Sequence, residues 1–353
     1  MISFIGLDFQ PGRASAVALG RDLGVPARTS AAVAGCYEED GTGVQCVPPV
    51  EWLRAGGFAL QELYCGLPLK SRKIWGLGVS GPAGWIALDL DFEPLCDLRL
   101  PPAAELFDDL QDWLNRNPRL EPRISLVLSP KDLFRFRMSG AIAADATSVC
   151  AAGLLSARRR DWDRDKLEAA GLSTRWFPPV FPSSAPTSRL NQDGMRQTGL
   201  PGSPWLVAGS TSSLASMIAS ADMGARKLWF PGAGEHPVYS IGKRQPDEIP
   251  AVPPGYWLSE SPIEDQLLLV RKDPAHAGCK ARDIETELEG SGYEVEGIET
   301  LKAEAELGAA ALAAVGSGLL KSWTRYYTLL QKLPKASPEN QEDAEPRDAS
   351  PGS

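Results

Sequence analysis

The chain has 353 residues, 43% of them hydrophobic, which is length for two domains and ample material for a core. Thirty-six Lys and Arg against 45 Asp and Glu leave a net charge of −9, so no basic excess exists to release counterions from a nucleic-acid backbone. Six cysteines scattered without a C-x-x-C pair, and only two histidines, point away from a zinc site, a disulfide framework or a histidine-rich metal centre. Reduced thiols fit a cytoplasmic protein. The opening MISFIGLDF lacks a basic region and a cleavage site, and no stretch approaches the roughly 18 apolar residues of a membrane span.

In chain order, residues 2–8 read as a buried strand, and a Gln-Pro-Gly turn leads to a second at 14–19, making a hairpin. Residues 29–37 supply a third strand. The segment 49–63 (PVEWLRAGGFALQEL) reads as a helix despite its Gly pair, and 73–79 and 85–90 as strands. A helix at 105–116 and a strand at 124–128 follow. Lys131–Met138 is helical, Gly140 ends it, and Asp145 stands as the N-cap of a small-residue helix over 146–156. Beyond a loop-rich stretch, 205–209 is a strand and 212–221 a helix. Strands at 227–230 and 238–241 pair as a hairpin, and 245–256 is a proline-rich linker. A strand at 267–270, a helix at 281–290, a strand at 293–298 and a long Ala/Leu helix at 304–322 complete the folded part. From about Pro334 the chain turns polar and is expected to be disordered. Three hairpin strands followed by helix–strand alternation fit an α/β fold of the ribonuclease H-like kind.

One segment is more specific. Pro130, Lys131, Asp132, Arg135, Arg137, Gly140, Ala143, Asp145 and Arg160-Asp161-Trp162 stand, without a gap, at the positions of L-P-K-D-x-x-R-x-R-x-x-G, A-x-D-x-S and R-D-W. Thr147 takes the serine position, and Ala151 falls near a glycine position. On these residues the stretch 128–162 resembles the FGGY family of carbohydrate kinases, xylulose kinases in particular. Trp52, LGVSG at 77–81, WLVAG at 205–209 and ELGAAALAAVGSG at 306–318 also have counterparts there. The resemblance implies the fold shared by actin, hexokinase and sugar kinases, in two domains: 1–225, an abbreviated 226–333, and a tail at 334–353. The shortening falls between Cys96 and Glu105 and, more, between Ser240 and Leu267. It implies ATP and Mg²⁺ as the chemical partners, a ketose as acceptor, and a cleft between the domains.

The family's motifs place candidate residues on this chain. The first phosphate loop, D-x-G-T-[ST], falls on Asp8, Gln10, Gly12 and Arg13. Asp8 would orient Mg²⁺-bound water, Pro11 has no N–H to offer, and Arg13 supplies a replacement charge. Alternatively Asp8 and Gln10 simply cap a hairpin. The catalytic-base position falls on Ser212, and serine is no general base at neutral pH. The run Ser210–Ser213 equally reads as a helix N-cap. The second phosphate loop becomes Gly232, Ala233 and Gly234, glycines without hydroxyls, or a plain turn. The adenosine-side glycines have no counterpart at 273–275, and the sugar-binding G-Q-M-H-G turn becomes Gly81, Pro82, Ala83 and Gly84. The expectation is a pseudokinase that holds a small sugar or a protein partner, in a homo-oligomer, without touching nucleic acid or membrane. The alternative is a divergent active sugar kinase, its base drawn from Asp222, Glu235 or Asp145. A scaffold with different chemistry is the third reading.

Overall fold

The computed structural model describes residues 1–39, 41–101, 106–156, 160–219, 226–230, 237–242, 252–261, 267–271, 280–300 and 304–332. Strands β1 (Ile2–Gln10), β2 (Arg13–Gly20) and β3 (Ala27–Ala32) form an antiparallel meander. In β1 the alternate residues Ile5, Leu7 and Phe9 enter one core while Phe4 enters another on the opposite face. Apolar residues on both faces mark a central strand covered on both sides. Gln10 pairs with Arg13, so the β1–β2 turn has Pro11 and Gly12 at its centre, and Gly12 has φ +82°. Proline followed by a positive-φ glycine is the chemistry of a type II turn.

Helix α1 (Pro49–Gly66) covers one face. Its Gly pair is no weakness, because a Cβ at Gly56 would stand 2.5 Å from the Phe9 ring and 2.6 Å from that of Phe134. Strand β4 (Lys73–Gly81) runs parallel to β1. Helices α2 (Leu106–Arg116), α3 (Pro130–Ser139) and α4 (Ala146–Ala151) follow. Strands β5 (Pro186–Arg189) and β6 (Trp205–Val207) complete the sheet in the order β5-β6-β4-β1-β2-β3, and the short β7 (Ser210–Thr211) also pairs with β4.

Helix α5 (Ser212–Ala219) leads toward a second sheet. That sheet contains β8 (Lys227–Phe230), β9 (Val238–Gly242), β10 (Tyr256–Glu260), β11 (Leu267–Arg271) and, after α6 (Ala281–Gly290), β12 (Gly297–Thr300). Its order is β10-β11-β9-β8-β12, antiparallel except for the parallel pair β8–β12. This is the first sheet's logic repeated: an antiparallel run, then a parallel addition beside its first strand. Helix α7 (Ala305–Gly316) returns to pack on β1 and β4, and α8 (Trp323–Leu330) closes the described chain. Helix α7 thus belongs to the first sheet's packing, since it shares a core with Phe4, Val17 and Val207.

Several expected elements end sooner. The helix from Ala146 stops at Ala151, because Gly153 at φ +70° turns the chain into a short strand, Leu155–Ser156, paired with Asp161–Trp162. The third strand stops at Ala32 rather than 37, and the strand at 85–90 narrows to Ile86–Leu88. Tyr293 is not in a strand: its N–H donates to Leu288 O and closes α6, so extended pairing begins only at Gly297. The helix expected over 304–322 breaks after Gly316. A second one begins where Ser322 accepts the Arg325 N–H as N-cap. The expected tail from 334 lies outside the described residues.

Candidate active site

The site is assembled by strand ends. Strands β1, β4 and β7 run parallel, in registers that place Asp8 opposite Ser80, and Ser80 opposite Ser210. Across the antiparallel meander Asp8 also faces Ser15, and Ser15 faces Ser30. One polar row thus crosses five strands, Ser210–Ser80–Asp8–Ser15–Ser30, at the carboxyl end of the parallel strands. In open α/β sheets that is where ligands bind. Asp8 is the row's one charge and is 1% exposed.

Two hydroxyls meet that carboxylate. Ser80 Oγ donates to Asp8 Oδ1 at 2.7 Å, and Ser212 Oγ donates to the same oxygen at 2.7 Å. Ser212 is half-buried and is the first residue of α5, whose amino end carries partial positive charge toward the carboxylate. Ser80 Oγ also lies 3.4 Å from Ala305 O, the first residue of α7. The amino ends of α5 and α7 therefore meet the Asp8–Ser80 pair. The backbone at Gly209, φ +90°, comes so close to Val79 O that a Cβ there would overlap it.

The floor is held from behind by the segment singled out in the sequence. Lys131 Nζ pairs with Asp132 Oδ1 at 2.7 Å and Asp145 Oδ2 at 2.6 Å, and donates to Ala208 O at 3.3 Å. Arg135 pairs with Asp132 Oδ1 at 2.9 Å, and donates to Ala143 O and to Thr187 Oγ1. Burial alone would raise the Asp132 pKa. The charges of Lys131 and Arg135, with hydrogen bonds from Lys131 and Ser129, hold it below the ordinary value. Asp145 caps α4 by accepting the N–H groups of Thr147 and Ser148. It is not a base near the floor: Lys131 takes its other oxygen. Thr147 Oγ1 accepts the Thr211 N–H at 3.0 Å, which ties this cluster to the residue before Ser212.

The expected residues come together only in part. Asp8 and Ser212 meet. Gln10, Gly12 and Arg13 lie at the hairpin tip just beyond Asp8, where Gly12 and Arg13 are exposed. Gly81 ends β4, where a Cβ would stand 3.4 Å from that of Lys131 and 3.7 Å from that of Phe9, and Pro82 and Ala83 follow half-buried. Gly232, Ala233, Gly234, Asp222, Glu235 and the segment 273–275 lie outside the described residues. Ser80, Ser15 and Ser30 were missed. The signal was available for Ser80, because ISFIGLD and IWGLGVS each end an apolar run on a polar residue, and parallel pairing sets those ends side by side.

Mg²⁺ is usually held by one or two carboxylates together with substrate phosphates, its remaining positions filled by water. Asp8, buried at a sheet end with its Oδ1 oriented by two hydroxyls, fits that pattern. At the tip the Gly12 N–H and the Arg13 guanidinium suit phosphate oxygens, whereas Pro11 offers no donor.

Known proteins resemble this chain in sequence and in fold. Residues 110–217 match the family model described as "FGGY family of carbohydrate kinases, N-terminal domain". The chain is 31% identical over 225 residues to the xylulose kinase of Klebsiella pneumoniae, covering 55% of this chain and 46% of that one. It is 33% identical over 114 residues to the L-fuculokinase of Salmonella typhi, covering 32% and 24%. The chain thus spans about half or less of the length of these curated relatives. Among solved structures, xylulose kinase from Rhodospirillum rubrum superposes with a TM-score of 0.78 at 14% identity, covering 93% and 92% of the two chains. Plasmodium falciparum glycerol kinase with ADP gives 0.76 at 10% identity, covering 95% and 93%. The fold is that of the ribonuclease H-like sugar kinases.

Proposed function

Because the chain belongs to the FGGY family of carbohydrate kinases, we propose that its cleft takes a small sugar and the triphosphate of ATP, with phosphoryl transfer to the sugar impaired. The protein then acts as a pseudokinase, a ligand-binding or regulatory module. The observation that carries this reading is the hydroxyl of Ser212, 2.7 Å from Asp8 Oδ1, at the position matching the family's base. A sugar hydroxyl becomes a nucleophile when a carboxylate takes its proton, and loss of such a base costs about 10²–10⁴-fold in rate. Ser212 cannot serve, and it occupies one oxygen of the carboxylate that remains.

In this reading the strand-end row binds and orients. Asp8 holds the water shell of Mg²⁺, which when bound neutralises phosphate charge. Gly12 and Arg13 receive phosphate oxygens at the tip, and the turn at Gly81, Pro82 and Ala83 borders the sugar. A second reading is favoured by the same contact: a carboxylate does reach the base position, so a divergent active kinase would use Asp8 itself.

Calorimetry with Mg-ATP and an ADP-release assay across ketoses separate the two. The impaired reading expects nucleotide binding with sugar-dependent turnover at least about 100-fold below that of Ser212→Asp, which restores the carboxylate. Rapid wild-type turnover with a ketose, abolished by Asp8→Ala, would establish the second reading and sink the first.

A further inference from the structure

Ser212 is more than a missing base. Its Oγ–H donates to a buried carboxylate at 2.7 Å, it is half-buried rather than sealed, and it opens an eight-residue helix. Those are the parts of an activated hydroxyl: a nucleophile, a carboxylate positioned to take its proton, and an amino-terminal dipole that favours the negative product. In protein kinases an aspartate accepts the proton of the acceptor hydroxyl in this way. Here the acceptor hydroxyl stands on the same chain, already hydrogen-bonded to the aspartate.

We infer that Ser212 is itself a phosphoryl acceptor and that the protein phosphorylates it in its own cleft. The inference rests on the proposed binding of a nucleoside triphosphate as donor. Ser212 Oγ attacks the γ-phosphorus, forming the Oγ–P bond. The bond from that phosphorus to the β,γ-bridging oxygen breaks, and the nucleoside diphosphate leaves with the electron pair. The hydroxyl proton passes to Asp8. Nothing is oxidised or reduced, and the product is phosphoserine at the amino end of α5. Asp8, Ser80 and Ser212 share one hydrogen-bonded set. A phosphate on Ser212 therefore replaces the donor to Asp8 with an anion, which repels that carboxylate and leaves the cleft closed to a second triphosphate. Self-phosphorylation is a single event per chain rather than a cycle.

The neighbouring hydroxyls are poorer acceptors. Ser80 and Ser210 are fully buried, and Ser15 is paired in the sheet with its hydroxyl nearly enclosed. Ser212 alone among these hydroxyls combines partial access, a carboxylate partner and a helix terminus.

The test is purified full-length chain incubated with Mg-ATP, followed by intact mass and peptide mapping, with nucleotide binding measured separately by calorimetry using Mg-ADP. The expected result is one phosphate per chain on Ser212. It should be absent in Ser212→Ala, move to phosphothreonine in Ser212→Thr, and form at least about 100-fold more slowly in Asp8→Asn. The Asp8→Asn arm also excludes a contaminating kinase, which would not need that carboxylate. Nucleotide binding without phosphate on Ser212 overturns this inference and leaves the proposed function standing. Absence of nucleotide binding overturns both. Phosphate on Ser212 formed equally fast in Asp8→Asn also overturns it.

Discussion

Two polar clusters lie back to back in this protein and obey opposite rules. Behind the sheet, Lys131, Arg135, Asp132 and Asp145 place two positive and two negative charges together, each at most 1% exposed. At the floor, Asp8 is the one charge in a row of serines that ends at the exposed Ser30. In the first cluster any single loss of charge leaves the buried set with an uncompensated charge. In the second, neutral hydroxyls exchange for other neutral groups at small cost to folding. The resemblance to the sugar kinases is densest in the first cluster, where folding constrains every member, and thinnest in the second.

The largest test of that contrast is Lys131→Met, which leaves Asp132 and Asp145 short of their shared cation. Breaking a buried pair this way costs about 3–5 kcal/mol, read from denaturant midpoints. Next is Gly308→Ala, whose Cβ would overlap Ala215 O where α7 crosses α5. Overpacking of that kind costs about 1–3 kcal/mol, here with both helices shifted.

Acid provides a third, graded test. Asp132 has a folded pKa below its ordinary value, and Glu39 falls from 4.5 to about 2 through hydrogen bonds from Arg99 and Arg116 and their charges. A depressed carboxylate pKa contributes stability that is fully present above the unfolded value and is lost as pH falls through the folded one. Stability should therefore decline from about pH 4.5 toward pH 2, and Glu39→Gln should flatten part of that decline in urea titrations at successive pH values. The smallest effect is expected from Ser212→Ala. Losing one hydrogen bond to a charged group costs about 1.5–3 kcal/mol at most where burial is complete, and less at this half-buried position. A loss as large as that of Lys131→Met would end the contrast.

Much of the framework was legible. The β1–β2 hairpin, the Asp145 cap, the Gly140 stop and the pairing of Lys227–Phe230 with Val238–Gly242 follow from local chemistry: alternation, capping oxygens and positive-φ glycines. What local chemistry could not supply was register. That Ser80 stands beside Asp8, and Ser15 on its other side, depends on strands brought together by tertiary packing. The break between α7 and α8 was hidden for a related reason. Leu319, Leu320 and Trp323 continue the apolar spacing, but Gly318 at φ +77° turns the chain back so that both helices cover one core.

Helix α7 approaches its neighbours without a side-chain layer. A Cβ at Gly6 or Gly78 would overlap carbonyl oxygens of Glu306 or Ala309, and one at Gly316 would overlap Ser184 O. Side chains elsewhere can yield by changing rotamer; main chain against main chain cannot. The helix therefore works as a gauge bar: the separation between the sheet and α7 is set by van der Waals contact of main chain on main chain. Ser80 and Ala305 stand at one end of that bar, so the depth of the floor beneath Asp8 is fixed by glycines that bear no reactive group.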